Sequence, residues 1–476
     1  MIKNICFIGN FYKTPVYQAI ADGLAACEIT TYWISYNRDE YEFLVSSYGD
    51  ERVLLLDRRY IENNDSEMVG DFKINEIVFG DRVWKYDKKN GISYLANVQS
   101  ALYNFIKSNE IRIIFGEATM SLEILASRMC RQCAELNCHY YSPMGTRIPS
   151  GRFFFFSDEK FTNVVPKSGH LHLDDESIKI KVEHPQYLKV NERLLREKMS
   201  LSGNLDRLKH FITNDHVERN NPAVITNRFT RLKVVGRQII NQHRYDSLKR
   251  EDEDYLSNKK YVLFGFHVQP EASVDVCGRY FENQSEVVLN IWRQLPPRWI
   301  LALKEHTNGI GNRSVRFFKE LQKYPGIALM NESLDSHTLT KNAQLVVTNT
   351  GTMALEAALM GVPAVTLSKT VFNCLPYCMH ATWQDFERFD NLEALISHIR
   401  LNGSGVEAYE ELVNRHSYPG VLSDVVSTPN ILDDAQNMKN LIYAFKSVTE
   451  QICSEIHAET DDAARLRNTT SYQSRI

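Results

Sequence analysis

Asparagine, threonine and glycine form a polar turn between a predicted strand and a predicted helix in the second half of the chain. The strand ends at Thr348, NTGTMALEAALMG follows, and Pro363 opens another strand. A helix that starts in this way presents free backbone N–H groups, which suit a phosphate. We expect a phosphate at the turn and a ribose one helical turn later, held by Asn349, Thr350, Gly351, Thr352 and Glu356. The alternative is a helix that Thr352 simply caps.

Two other strands of this region also end in polar residues. The strand Trp299–Lys304 brings Lys304 and His306 to its carboxyl end, where they can meet a phosphate or a carboxylate. A lone histidine at a strand end is more often structural. The strand that carries His306 precedes the predicted phosphate turn, however, and this favours a ligand contact.

The strand Tyr261–Phe266 runs into a loop with further candidates, His267, Gln269 and Glu271. Pro270 ends the strand, so Glu271 lies on the loop over the strand end. A carboxylate there can act as nucleophile, base or hydroxyl clamp. On spacing alone, an ordinary loop glutamate is the favoured interpretation.

The first half of the chain carries a comparable glutamate and two arginines. Glu117 follows the strand Ile111–Phe115 and precedes a helix, so it is either a cleft-side carboxylate or an acid favoured by the helix dipole. Arg147 and Arg152 lie in a loop rich in glycine and proline. Their guanidinium groups suit a carboxylate or a phosphate, so we expect both to contact substrate.

Strand and helix signals alternate twice along the chain, and these elements must position the polar residues. Alternation of this kind predicts parallel sheets with helices on both faces. We predict an N-terminal Rossmann-like acceptor domain over 1–157, a mainly helical connector over 158–260, a Rossmann-like donor domain over 261–430, a C-terminal helix over 431–459 and a disordered tail over 460–476. The connector has helical patterns over Leu194–Ile212 and Phe229–Leu248, and we interpret it as solvated rather than as an interaction surface.

Composition excludes several classes of protein. Of 476 residues, 43% are hydrophobic and 24% charged, as in soluble globular proteins. Lysine and arginine number 55 against 59 acidic residues, and the net charge of −4 argues against general nucleic-acid binding. The sequence lacks a signal peptide and an apolar run of roughly 20 residues, so we expect a cytoplasmic protein. Cys130 and Cys133 lack a second pair at zinc-site spacing, so we expect no metal.

Two tandem α/β domains place a cleft between two sets of strand ends, where open α/β sheets bind ligands. The predicted fold class is therefore α/β and GT-B-like, with two doubly wound domains facing a central cleft. The arrangement fits GT-B glycosyltransferases, sugar-nucleotide epimerases and some two-domain binding proteins, and architecture alone does not choose among them.

The chain resembles the capsule polysaccharide biosynthesis proteins, which include bacterial Kdo transferases. The resembling segments are FGEATMS at 115–121, RIPSGRFFFF at 147–156, HVQPEAS at 267–273, LKEH at 303–306 and TNTGTMALEAALMGVPAV at 348–365. The resemblance implies transfer of an acidic 3-deoxy-ulosonic sugar, Kdo or a related acid, from a CMP-activated donor to a surface-polysaccharide or glycolipid acceptor. It implies neither a metal nor another cofactor.

The resemblance also implies roles for single residues. His306 and the Thr350–Thr352 turn would hold the CMP phosphate and ribose with help from Glu356, Glu271 would lie near the anomeric carbon, and Glu117 would serve the acceptor hydroxyl. The family commonly has proline after the strand-end histidine, where this chain has Thr307.

Partners follow from the same resemblance: a nucleotide-sugar donor, a glycan or glycolipid acceptor, and peripheral contact with the inner face of the membrane or with a polysaccharide assembly complex. Two alternatives stay open. One is a UDP-sugar transferase or 2-epimerase of the same fold, and the other is a non-catalytic scaffold that binds sugar nucleotides.

Overall fold

The chain builds two parallel sheets, each covered by helices. The structure, a computed structural model, describes residues 3–62, 67–166, 178–181, 219–399 and 401–473. The predicted helix over Leu194–Ile212 lies outside these residues. The predicted fold class, α/β with two doubly wound domains, is confirmed.

The strands of the first sheet are mostly parallel. They are β1 (Asn4–Ile8), β2 (Thr30–Ser35), β3 (Val53–Leu55), β4 (Ile113–Phe115), β5 (His139–Gly145), β6 (Arg152–Phe156) and β13 (Tyr418–Pro419). The order is β13-β6-β5-β4-β1-β2-β3, and only β6 and β13 run antiparallel to their neighbours. The helices of this part are α1 (Thr14–Ala25), α2 (Arg38–Tyr48), α3 (Ile74–Gly80), α4 (Lys88–Ser108) and α5 (Ser121–Gln132).

The second sheet is entirely parallel in the described part of the chain. Its strands are β7 (Tyr261–Gly265), β8 (Ile300–Lys304), β9 (Ile327–Met330), β10 (Leu345–Thr348), β11 (Ala364–Thr366) and β12 (Cys378–His380), in the order β12-β11-β10-β7-β8-β9. The sequences of β7, β8 and β10 are almost wholly apolar, because helices cover both faces of the sheet.

Helices precede, surround and follow this second sheet. They are α6 (Arg228–Tyr245), α7 (Gln284–Arg293), α8 (Val315–Leu321), α9 (Ser336–Asn342), α10 (Thr352–Leu359), α11 (Trp383–Arg388), α12 (Leu392–His398), α13 (Gly405–His416) and α14 (Ala435–Gln473). None of the described helices is both long and apolar enough to cross a bilayer.

The C-terminal segment returns to the first domain. β13 pairs with β6, and the α14 side chain Phe445 packs against Phe7, Phe115 and Phe155 with ring centroids 5.6, 4.8 and 5.0 Å away. Residues from 418 onward therefore complete the first domain, although the prediction assigned 418–430 to the second. Helix α14 also continues to Gln473, where a disordered tail was predicted from residue 460. The stretch lacks glycine and proline, so the helix that packs on the first domain can propagate through it.

The four consecutive phenylalanines of the sequence lie in strand β6, which is buried on both faces. Phe153 and Phe155 pack into the core beneath α14, whereas Phe154 and Phe156 join a core shared with the second domain. Successive side chains of a strand point to opposite faces. The strand is apolar on both faces because one face is covered by its own domain and the other by its neighbour.

Candidate functional site

His267 organises the turn that precedes α10. Its buried Nε2 lies 2.7 Å from the Thr348 hydroxyl and accepts the Asn349 backbone N–H at 3.3 Å. The Thr348 hydroxyl accepts the Gly351 N–H at 3.1 Å, so its own proton points to Nε2 and the His267 proton is assigned to Nδ1. Burial lowers the pKa of His267 to about 3, so the ring is neutral at pH 7. His267 therefore positions the turn as a neutral acceptor.

The turn needs glycine at its last position. A Cβ on Gly351 would lie 2.6 Å from the Thr348 hydroxyl and 3.0 Å from the His267 ring. Gly351 is the N-cap residue of α10 and Thr352 is the first residue inside the helix, so the alternative in which Thr352 caps the helix is wrong. The backbone N–H groups of Thr352 and Met353 make no hydrogen bond with the described part of the chain. They remain available to an anion at the helix start.

Asn349 and Thr350 hold the turn in place. The Asn349 amide donates to the Phe281 carbonyl at 3.0 Å, and its buried Oδ1 accepts no hydrogen bond from the described residues. The Thr350 hydroxyl donates to the Ser273 carbonyl at 2.6 Å. The backbone of the turn thus faces outward while these two side chains tie it to the loop after β7.

A buried ion pair lies beneath the end of β8. Arg313 donates to both carboxylate oxygens of Glu305 at 2.8 Å and also to the His267 carbonyl. Glu305 accepts the His306 backbone N–H at 2.8 Å. The pair fixes the backbone at both strand-end histidines. Sequence analysis missed both residues, although strand alternation turns position 305 away from Lys304 and His306.

Lys304 of the second domain and Arg147 of the first bring positive charge to the surroundings of His306. The Lys304 ammonium donates to the Glu332 carbonyl at 3.0 Å. The pKa of His306 is lowered to about 4 by desolvation of the ring and by the charges of Lys304 and Arg147, so the imidazole is neutral at pH 7. Arg147, in the loop between β5 and β6 of the first domain, is thus close enough to act electrostatically on His306 at the end of β8.

Glu356 faces a histidine that sequence analysis missed. His337 Nε2 lies 3.3 Å from Glu356 Oε2, and the proximity of this carboxylate raises the pKa of His337. His337 stands in the first turn of α9, just after β9, so it belongs to the same sheet edge as His306. This position after a strand was the signal available in the sequence.

Gln269 and Glu271 lie on a loop fixed by Asp275. Asp275 accepts from the Gln269 amide and from the Glu271 backbone N–H, both at 3.1 Å. Gln269 also accepts from Gln284 at 2.7 Å, so its side chain is engaged within the loop. The Glu271 carboxylate accepts the Ser273 hydroxyl at 2.9 Å and is exposed. Of the two, Glu271 alone presents a charged group at the mouth of the cleft.

In the first domain, Glu117 is held by a lysine. Its carboxylate forms an ion pair with Lys13, and both side chains are about five-sixths buried. Its backbone N–H donates to Glu123 at 3.3 Å. The helix-dipole interpretation of Glu117 does not describe this contact, because Glu117 lies ahead of α5 and its side chain turns to α1.

Two further carboxylates lie buried at the same edge, and sequence analysis missed them. Glu40 accepts the Thr14 hydroxyl at 2.5 Å and the Ser35 hydroxyl at 2.8 Å. Glu123 accepts the Thr119 backbone N–H at 2.9 Å. Burial raises the pKa of both carboxyls. The first sheet therefore ends in an acidic edge made of Glu40, Glu117 and Glu123.

Arg152 is engaged away from these groups. Its guanidinium donates to the Ser417 hydroxyl at 2.6 Å and to the Ser417 carbonyl at 2.9 Å. These bonds hold the chain where it enters β13. Arg152 thus ties the returning segment to the first sheet, whereas its predicted companion Arg147 faces His306.

Three buried charges and one partly buried charge join the domains. Arg128 and Arg279 both pair with Glu76 and with Glu159, at 3.0 Å for Arg128–Glu159 and 2.9 Å for Arg279–Glu159. The pKa of Glu76 is lowered to about 2, although its partial burial opposes the shift, because the Tyr280 hydroxyl donates to the carboxylate and the two arginines favour its charge.

The same contact brings two backbones together. A Cβ on Gly80, at the end of α3, would lie 2.3 Å from the Asp275 carbonyl oxygen. Glycine at position 80 thus lets the first domain press on the turn that holds Glu271. Among the described residues, no group of three or more histidine, cysteine, aspartate or glutamate side chains could hold a metal ion.

Comparison with known proteins supports the resemblance seen in the motifs. Residues 184–387 match the family model described as capsule polysaccharide biosynthesis protein. This segment contains the strand-end histidines, the turn before α10 and Glu356. No curated protein sequence matches the chain. The resemblance to the capsule polysaccharide biosynthesis proteins is therefore confirmed over residues 184–387.

Solved structures of related architecture include transferases and epimerases. The β-Kdo 2,7-transferase of Thermosulfurimonas dismutans KpsC has 12% identity and a TM-score of 0.31, over 86% of this chain and 99% of that chain. The UDP-GlcNAc 2-epimerase of Methanocaldococcus jannaschii, in complex with UDP-GlcNAc and UDP, has 13% identity and a TM-score of 0.27, over 87% and 99%. Likeness at this level does not distinguish a transferase from an epimerase.

Proposed function

We propose that the protein is a GT-B glycosyltransferase that moves an acidic 3-deoxy-ulosonic sugar from a CMP-activated donor to a polysaccharide or glycolipid acceptor. The observation that carries this proposal is the convergence at one sheet edge of Lys304, His306 and the backbone N–H groups at the start of α10, because β8, β7 and β10 are neighbouring parallel strands. Arg147 of the first domain adds its charge to this edge through its electrostatic effect on His306. The family match over residues 184–387 supports a glycosyltransferase of polysaccharide assembly.

The donor chemistry matches this set of groups. A CMP-ulosonate carries a phosphodiester and a carboxylate, both anionic. The α10 N-terminus suits the phosphate, because its N–H groups and the helix dipole both favour negative charge. Arg147 suits the carboxylate, since a guanidinium donates two parallel hydrogen bonds to it. Neutral His306 can donate or accept a hydrogen bond without adding charge.

The acidic edge of the first domain suits the acceptor. In the proposed reaction Glu117 takes the proton of the acceptor hydroxyl as general base, with Lys13 orienting the carboxylate. Glu271, on the opposite domain, stabilises positive charge that develops at the anomeric carbon. We propose that no metal or other cofactor takes part, and transfer is expected to persist in EDTA.

A donor panel tests the proposal. Calorimetric titration should give measurable binding of CMP and tighter binding of CMP-Kdo, with weaker binding of UMP and UDP-GlcNAc. Arg147→Gln should weaken CMP-Kdo about tenfold while leaving CMP unchanged, because the lost charge faces the sugar carboxylate. The matched control is Arg415→Gln, whose guanidinium is exposed and far along the chain on α13.

The alternatives give different results in the same panel. If the protein binds UDP-GlcNAc preferentially and releases an epimerised product, it is a UDP-sugar 2-epimerase and the proposal is wrong. If the protein binds CMP-Kdo but transfers it to no oligosaccharide or glycolipid acceptor, and if loss of Glu117 and Glu271 leaves this binding unchanged, the protein is a non-catalytic scaffold.

A further inference from the structure

Helix α6 carries an unusual set of side chains for the protein as a whole. Its 18 residues, RFTRLKVVGRQIINQHRY, include four arginines and one lysine but no aspartate or glutamate. The complete chain has an excess of acidic residues and a net charge of −4. Positive charge is therefore concentrated on one helix.

One face of α6 also exposes large apolar side chains. Phe229, Leu232 and Ile240 are 84%, 47% and 52% exposed. Spacings of three and eleven residues from Phe229 place all three on one side of a helix. Lys233 and Arg244, four and fifteen residues from Phe229, border this stripe. Apolar side chains beside basic ones characterise helices that lie in the surface of a membrane.

The opposite face of α6 is fixed to the protein. Asn241 donates to the Gly311 carbonyl at 3.1 Å, and Gln238 donates to Asn312 at 3.1 Å. Asn241, Gln242 and Tyr245 are buried. Helix α6 thus packs on the protein through its polar face, and the apolar stripe lies on the outer surface.

The neighbouring helix extends the basic surface. A groove between α6 and α8 is lined by Arg244, Arg316, Lys319 and Lys323, with Glu320 as its acidic member. Glu320 pairs with Lys323, and Arg316 is exposed. The net charge of this groove remains positive.

We propose that α6 docks the protein on an anionic phospholipid surface, with Phe229, Leu232 and Ile240 inserted among the acyl chains and Lys233, Arg237 and Arg244 at the headgroups. Charge complementarity favours an anionic surface, because α6 has cations and no acids. The apolar stripe favours a bilayer over a nucleic acid, since leucine and isoleucine contribute nothing to phosphate contacts. The helix predicted over Phe229–Leu248 is present as α6, and the proposal gives its exposed face a role that the prediction of a merely solvated connector did not include.

Docking through α6 would bring the cleft close to the membrane surface. The loop Thr307–Asn312, to which α6 is bonded, directly follows His306. A membrane under α6 would therefore lie beside the cleft, within reach of an acceptor anchored in lipid. Only this use rests on the proposed function, because vesicle binding requires neither donor nor acceptor.

Flotation of the full chain with large unilamellar vesicles tests the proposal. Vesicles of phosphatidylcholine with 30% phosphatidylglycerol should carry the protein, and pure phosphatidylcholine should carry at least tenfold less. Replacing Phe229, Leu232 and Ile240 by serine should lower binding at least tenfold, as should replacing Lys233, Arg237 and Arg244 by glutamine. The control joins Phe43→Ser to Lys341→Gln, an exposed aromatic and an exposed lysine elsewhere, and should bind as the native chain does.

Fluorescence locates the contact. In Phe229→Trp, phospholipids brominated in the acyl chains should quench the new tryptophan, whereas Phe43→Trp should be unaffected. Unchanged vesicle binding in both α6 variants would overturn the proposal. Tighter binding to poly(U) RNA than to anionic vesicles would also overturn it, if the glutamine variant lost this RNA binding and the serine variant kept it. CMP binding should be the same in all variants, which separates this test from that of the donor.

Discussion

The two sheets end in edges of the same geometry and opposite chemistry. At the acidic edge of the first domain, Glu40, Glu117 and Glu123 gather around the ends of β1 and β4 with Lys13 as their cation. At the edge of the second domain, burial keeps the imidazoles of His267 and His306 neutral, and the charges of Lys304, Arg147 and Arg313 add to this effect. Parallel strands bring side chains to one edge in both domains. The difference shows that loop residues, and not the topology, decide what each edge can bind.

Under the proposed function, proton transfer belongs to the first domain and anion binding to the second. Glu117→Gln should therefore lower the rate of transfer by about 10²- to 10⁴-fold, the usual contribution of a general base, with CMP binding unchanged. Steady-state kinetics with calorimetry on the same protein measures both. The matched control is Glu42→Gln, an exposed glutamate of the same domain, which should retain full activity. Full activity in Glu117→Gln would show that this carboxylate does not take the acceptor proton.

The second edge depends on its buried ion pair. Arg313→Met leaves the Glu305 carboxylate buried without its partner, and we expect a loss of about 3–5 kcal/mol in the free energy of unfolding. Urea denaturation measures it. The double variant Glu305→Gln with Arg313→Met should recover part of the loss, because no uncompensated charge remains. A single-variant loss below about 1 kcal/mol, which exposed pairs give, would contradict a structural role for the pair.

Acid should act in opposite directions at the two edges. The pKa of His267 is about 3 in the fold against about 6.5 when unfolded, so the unfolded chain binds the proton first. Between these values its contribution to stability falls by about 1.4 kcal/mol per unit as the pH is lowered. The raised pKa of Glu40 has the reverse sign, because protonation relieves the cost of burying its charge.

Urea denaturation from pH 6.5 to pH 4.5 tests this contrast. His267→Asn should flatten the loss of stability on acidification, whereas Glu40→Gln should steepen it. Parallel pH profiles for the native chain and both variants would show that neither group titrates as the geometry requires.

The smallest expected effect is at the start of α10. Because Gly351 is the cap and Thr352 lies inside the helix, Thr352→Val should cost less than about 1 kcal/mol of stability, below a typical loss of a capping side chain. It should still weaken CMP binding several-fold through loss of the hydroxyl. A thermal melt and a CMP titration of one sample separate the two effects, and equal CMP affinity would leave only the backbone of the turn as the binding element.

Sequence patterns located the edges because apolar runs mark parallel strands and polar residues follow them directly. Lys304, His306, Thr352 and Glu117 were found in this way. What each side chain contacts depends on distant residues, so Arg152, bonded to a serine 265 positions away, could not be told from Arg147. The partners of Glu305 and Glu356 were equally hidden, although Arg313 and His337 are near them in sequence, because no pattern fixes the direction of a loop side chain.

The returning helix α14 has a consequence for synthesis. The rings of Phe7, Phe115 and Phe155 meet Phe445 in one core, yet 290 residues separate Phe155 from Phe445. At about 5–20 residues per second, a ribosome needs roughly 15–60 s to cover that interval. During this time the first sheet is exposed on its α14 face, while all strands of the second sheet are made between residues 261 and 380. The domain that is translated first is therefore completed last, and its aromatic face is the surface that a nascent chain must keep from aggregating before α14 arrives.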